Sequence, residues 1–106
     1  MMGTDVDRSL HRRTHYTFAI PVELDGTPLT AVVDWDAQLV DDIYDRRVMA
    51  EFLKEELQQN GVEPAIGQPI EIDGESYVLE QRNPPRITAT GKAVGSTYWV
   101  ELWLLR

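Results

Sequence analysis

The first clear pattern along the chain is an alternation of apolar and polar residues that starts at His15. Apolar positions fall on one face of an extended strand from Tyr16 to Leu24, and a second alternating run extends from Leu29 to Trp35. Between the runs, Asp25-Gly26 is a residue pair that tolerates positive φ in a two-residue turn. We therefore predict a β-hairpin with four apolar pairs on one face: Val22 with Leu29, Ile20 with Ala31, Phe18 with Val33, and Tyr16 with Trp35.

A helical spacing of apolar residues follows, from Asp36 or Ala37 to Asn60. Gly61 stands where a helix commonly ends in a left-handed residue. The pattern predicts one long helix whose apolar face is wide enough to cover a sheet. The main stripe of this face contains Leu39, Ile43, Ala50, Leu53 and Leu57.

Two further hairpins are predicted after a connector at residues 61–68. Asp73-Gly74 forms the turn of the first hairpin and sets Ile70 opposite Tyr77. In the second hairpin, Gly95-Ser96 forms the turn, and residues 87–94 pair with the C-terminal strand. Small residues then face large ones, as a packed core requires. The predicted pairs are Ala93 with Tyr98, Gly91 with Val100, Ala89 with Leu102, and Ile87 with Leu104.

The order hairpin, helix, hairpin, hairpin predicts an α+β domain. In this fold a curved antiparallel sheet of about five to six strands packs on one long helix. Residues 1–13 have no apolar period and are predicted to form a loose N-terminal arm, so the folded domain spans residues 14–106. The layout resembles β-grasp, cystatin-like and hot-dog domains, and no motif in the chain points to one family.

The C-terminal strand carries the best candidate site. By alternation, Val100 and Leu102 face the predicted core, whereas Trp99 and Trp103 share the opposite face. The predicted hairpin places cations and hydroxyls beside these two rings. Because aromatic residues and arginine are enriched at binding hot spots, we predict a partner-binding surface here. It consists of Trp99, Trp103, Lys92, Thr88, Thr90, Arg86 and Glu101.

The distribution of charge bears on the partner. The net charge is −8, and residues 23–80 hold 15 acidic and 3 basic residues. An acidic middle repels a phosphate backbone, which argues against binding to duplex nucleic acid. The sequence thus predicts an acidic, non-enzymatic interaction module that binds a protein partner or a second copy of itself, with a homodimer as the expected form of self-association.

The sequence lacks the residues or the spacing that thiolate sites, disulfides and metal sites usually require. The chain has no cysteine, which excludes thiolate sites and disulfides and fits a reducing compartment. The aspartates between Asp34 and Asp45 lack EF-hand spacing, and the only histidines are His11 and His15. We therefore predict no metal site and no cofactor. No apolar run approaches the roughly 20 residues of a membrane span, so we expect a cytoplasmic protein with no membrane contact.

The alternative is a small-molecule-binding protein or a small enzyme. One carboxylate would act as a base in a pocket between helix and sheet, the candidates being Asp36, Asp42 and Glu101. Aromatic rings with polar tips would then lie at the cavity mouth. The candidate rings are Tyr16, Trp35, Tyr44 and Tyr77.

Overall fold

The computed structural model describes residues 12–39, 42–84, 86–87, 93–94 and 99–106. Most of these residues lie in antiparallel strands. The elements in chain order are α1 (residues 12–18), β1 (Ile20–Leu24), β2 (Thr27–Leu39), β3 (Asp42–Leu53), α2 (Lys54–Gln59), β4 (Pro69–Ile72), β5 (Glu75–Arg82), β6 (Arg86–Ile87), β7 (Ala93–Val94) and β8 (Val100–Leu105).

Six strands close into an antiparallel barrel. Their order around the ring is β1, β4, β5, β8, β3, β2, and the pairing of β2 with β1 completes it. Outside the ring, β6 pairs with β2 where Arg86 lies opposite Leu39, and β7 pairs with β6. The predicted α+β class, with a sheet packed on one long helix, is therefore wrong, and so are the β-grasp, cystatin-like and hot-dog layouts that depend on that helix.

Both Asp-Gly turns form as predicted. The four turn residues have positive φ, and the pairs Val22 with Leu29, Ile20 with Ala31, and Ile70 with Tyr77 are confirmed. The first hairpin is shorter than expected, because residues 12–18 are helical and β1 begins at Ile20. The predicted pairs of Phe18 with Val33 and Tyr16 with Trp35 are wrong. Val33 instead lies opposite Ala50 of β3.

The long helix predicted from Asp36 or Ala37 to Asn60 is wrong. Most of that range belongs to β2 and β3, and only α2 is helical. The reason is that β3 buries side chains on both faces: Ala50 and Phe52 lie in the barrel interior, whereas Met49 packs on the outside. A strand with two buried faces has no strict alternation, and its apolar residues then also fit a helical spacing.

The predicted pair of Ile87 with Leu104 is also wrong, because Ile87 pairs with Ala93 and β8 lies between β3 and β5. The other three pairs predicted for that hairpin include residues 89, 91 and 98, which lie outside the described residues. Trp103 faces Ala50 on one side and Arg82 on the other. A small residue does face a large one, but the small residue comes from β3.

The barrel interior is the main core, and a second apolar cluster lies on the outside of the barrel wall. Trp103 and Leu105 of β8 belong to the main core, as does Leu57 of α2. The outer cluster is formed by Ala37, Met49, Leu102 and Leu104. Neither helix among the described residues has the length and apolar character that crossing a membrane requires. Most of the predicted N-terminal arm, residues 1–11, lies outside the described residues, and residues 12 and 13 are part of α1.

Candidate functional site

The face of β8 predicted to bind a partner points into the barrel at Trp103. This residue is 1% exposed and belongs to the main core. Its indole Nε1 donates a hydrogen bond of 2.9 Å to Glu101 Oε1. The guanidinium of Arg82 lies over the ring, 5.1 Å from its centroid, and Arg82 Nε lies 3.1 Å from Glu101 Oε1. Trp103 is thus part of an internal cluster of one tryptophan, one glutamate and one arginine.

The other residues of the predicted surface are not brought together. Trp99 is half-buried, and its backbone carbonyl accepts a hydrogen bond from the backbone N–H of Lys54. The backbone of Arg86 lies in β6, which is outside the barrel ring and pairs with β2 at Leu39. Thr88, Thr90 and Lys92 lie outside the described residues.

A groove of about 540 Å³ runs between α2, the loop that follows it, β5 and β8. Among its lining residues are Lys54, Leu57, Val62, Arg82 and Glu101. The Glu101 side chain is only 12% exposed, and Oε1 accepts both the Trp103 hydrogen bond and the Arg82 ion pair. This carboxylate therefore holds Arg82 over the indole ring.

A polar network fastens α1 to α2 at the end of the barrel where β3 finishes. Glu56 accepts hydrogen bonds from the backbone N–H of Thr30 at 2.7 Å and from the Tyr16 hydroxyl at 2.9 Å. His15 is 1% exposed and its Nε2 lies 3.0 Å from Thr30 Oγ1, while Nδ1 has no hydrogen-bond partner among the described residues. Burial lowers the pKa of His15, and the charge of Glu56 opposes this effect. The Tyr16 hydroxyl is thus occupied in helix attachment.

The other end of the barrel carries a pair of aromatic rings, of which Trp35 is exposed and Tyr77 is half-buried. Trp35 follows Val33 on the barrel-facing side of β2 and is 44% exposed. Its ring centroid lies 6.4 Å from that of Tyr77 in β5, with the planes inclined at 57°. Because β2 and β5 are three strands apart in either direction around the six-stranded ring, this contact spans the width of the barrel. Of the four rings predicted for a cavity mouth, the structure brings these two together and places Tyr16 in α1, whereas the side chain of Tyr44 is not among those described.

Four exposed carboxylates lie within four residues of one of these rings along the chain. Asp34 and Asp36 adjoin Trp35, and Asp34 Oδ1 accepts a hydrogen bond of 3.0 Å from the backbone N–H of Asp36. The Tyr77 hydroxyl donates to Glu75 Oε2 at 3.2 Å. Desolvation, this hydrogen bond and the charges of Glu75 and Asp73 raise the pKa of Tyr77. We call this set the acidic aromatic mouth: Trp35, Tyr77, Asp34, Asp36, Asp73 and Glu75.

No lysine or arginine among the described side chains forms an ion pair with these four carboxylates. The described residues also contain no group of three or more His, Asp or Glu side chains that could hold a metal ion. The mouth therefore combines an exposed indole, a half-buried phenol and four exposed carboxylates.

The sequence pattern around each ring indicates this mouth, although it does not indicate the C-terminal surface. Both rings lie within four positions of two carboxylates, in Asp34-Trp35-Asp36 and in residues 73–77. Their approach depends on closure of the barrel, which no local pattern shows. No family model matches the chain, and no curated protein matches it at a significant level of similarity. The evidence for the function of the chain is therefore the geometry of its described residues.

Proposed function

We propose that this chain is a non-enzymatic protein-interaction module that binds its partner through the acidic aromatic mouth. The observation that carries the proposal is the exposure of Trp35, a residue that is 44% exposed beside the half-buried Tyr77. Tryptophan and tyrosine are enriched among the residues that dominate binding energy, because each buries a large area in a partner pocket. A partner that covers the exposed indole therefore gains affinity.

The scaffold supports this role. Trp35 lies in β2 and Tyr77 in β5, and both strands are part of a closed ring of hydrogen-bonded strands. Rings held on rigid strands lose little conformational entropy when a partner binds. Other exposed apolar residues, such as Phe18 and Ile66, lie outside the strands, and no aromatic contact is recorded for them among the described residues. Isolated apolar residues of this kind are common on protein surfaces.

The alternative of a single-carboxylate enzyme receives less support. A general base has to reach the substrate proton from within a pocket. Of the candidate bases, Glu101 is held by Arg82 and the Trp103 indole, and Asp36 is exposed at the mouth. The side chain of Asp42 is not among those that the structure describes. Binding is therefore favoured over catalysis.

A photo-crosslinking experiment tests the proposed function. The photoreactive residue benzoylphenylalanine is placed at position 35, and in a matched variant it replaces Ile66, which is also exposed but lies away from the mouth. Irradiation in an extract of the source cells is expected to give one discrete product from position 35, identified by mass spectrometry as one protein or as a second copy of this chain. The Tyr77→Ser substitution is expected to weaken that product.

Two results would contradict the proposal. One is the same set of products from positions 35 and 66, because that would indicate random collision. The other is the absence of any product from position 35 while the variant remains folded by circular dichroism.

A further inference from the structure

We infer that the partner of the acidic aromatic mouth presents a protein segment rich in arginine and lysine, and that one of its cations stacks on Trp35. This inference rests on the proposed interaction function and adds the chemistry of the partner. It follows from the charge around the rings, from a comparison with the Trp103 cluster, and from the charge balance of the chain.

The charge of the mouth is uncompensated within the described residues. Asp34, Asp36, Asp73 and Glu75 are all exposed, and no described arginine or lysine forms an ion pair with them. Exposed carboxylates close to the two rings along the chain create a local negative potential. A cationic segment is attracted by this potential over about one Debye length, roughly 8 to 10 Å.

The same chain contains a similar arrangement in which the cation is already present. At Trp103, Arg82 lies over the indole ring and forms an ion pair with Glu101. Trp35 has an exposed ring and neighbouring carboxylates but no described guanidinium. An arginine from a partner completes the arrangement, because guanidinium stacks on aromatic rings and pairs with carboxylates at the same time.

A second copy of the chain is a poorer source of that cation. Each copy has a net charge of −8, so two copies repel each other. Three arginines are already committed to ion pairs within the chain: Arg12 with Glu55, Arg47 with Glu80, and Arg82 with Glu101. Charge complementarity therefore favours a basic segment of another protein.

Titration calorimetry with short peptides tests the inference. An oligoarginine peptide is expected to bind more tightly than oligolysine, and the neutral isostere oligocitrulline is expected not to bind. The Trp35→Ala substitution should weaken oligoarginine binding about fivefold, the size of an exposed cation–π contact. Trp35→Phe keeps a ring and should recover part of the loss. Affinity should fall as salt is raised.

A matched pair of charge variants distinguishes binding at the mouth from binding that depends only on the net negative charge of the chain. Asp34→Asn combined with Asp36→Asn removes two charges at the mouth. Glu23→Gln combined with Glu63→Gln removes two exposed charges elsewhere. The mouth variant is expected to lose at least threefold more affinity for oligoarginine than the control variant. Equal losses would overturn the inference, because binding would then follow net charge alone.

Three other results would overturn the inference while leaving the interaction function standing. The first is oligocitrulline binding that is as tight as oligoarginine binding and depends on Trp35. The second is a dimer in sedimentation velocity that dissociates in Trp35→Ala, which would make a second copy the occupant. The third is the absence of oligoarginine binding at low salt together with a discrete crosslinked product from position 35. Failure of the crosslink itself would count against the proposed function.

Discussion

Trp103 and Trp35 have similar neighbours in sequence and opposite positions in the fold. Trp103 lies two residues after Glu101, and Trp35 lies between Asp34 and Asp36. Trp103 is buried because its side chain faces the barrel interior and Arg82 covers its ring. Trp35 lies at a bulge in β2, past the last residue of that strand in the main core, and is half-exposed.

The difference shows that carboxylates next to a tryptophan in the sequence do not by themselves indicate that its ring is exposed. In the Trp103 cluster the chain supplies its own cation, so the ring and the carboxylate form an internal contact. In the acidic aromatic mouth no described cation does so. The burial of the ring therefore separates a structural tryptophan from a candidate binding residue.

The largest expected effect is on stability. Trp103→Ala removes the largest buried ring from the main core and should lower the free energy of unfolding by about 3 to 5 kcal/mol. Trp35→Ala should lower it by less than about 1 kcal/mol, because the ring is half-exposed. Urea denaturation of both variants measures the difference. Equal losses would contradict the assignment of one ring to the core and the other to a surface.

A smaller effect sharpens the contrast between the two ends of the barrel. The pKa of His15 is lowered by burial below its model-peptide value of 6.5, with Glu56 opposing the shift. The unfolded chain therefore binds more protons than the folded chain just below pH 6.5. Stability from this group is present above pH 6.5 and is lost as the pH falls through 6.5 towards the lowered pKa, at up to about 1.4 kcal/mol per pH unit.

Urea denaturation at a series of pH values checks this expectation. His15 faces Glu56 of α2 and Thr30 of β2, and it contacts the Tyr16 ring within α1. His15→Gln should flatten the slope between about pH 7 and pH 5.5, whereas Tyr77→Phe at the mouth should leave it unchanged. An unchanged slope in His15→Gln would show that protonation of this histidine does not oppose folding.

Local chemistry made parts of the fold predictable. Asp25-Gly26 and Asp73-Gly74 favour positive φ wherever they occur, so both turns and the pairs next to them could be read from the sequence. β3 could not be identified, because its second apolar face is buried by residues distant in sequence, such as Leu102 and Leu104. A helix was the simpler interpretation of the same residues.

The candidate site depended even more on long-range contacts. Alternation puts Trp99 and Trp103 on one face with Glu101, but which residues surround that face depends on β3 and β5, the neighbours of β8. Arg82, which covers the Trp103 ring, was not associated with it in the sequence. Trp35 and Tyr77 were recognised as candidate rings at a cavity mouth, and only closure of the barrel brings them together.

The most direct test of the central claim follows the indole N–H resonances during a titration with oligoarginine. The chain has three tryptophans, so a ¹⁵N-labelled sample gives three indole signals, which single Trp→Phe variants assign. The Trp35 signal is expected to shift in proportion to occupancy while the Trp103 signal stays in place. A shift of Trp103 or Trp99 with Trp35 unchanged would contradict the claim that the acidic aromatic mouth is the binding surface.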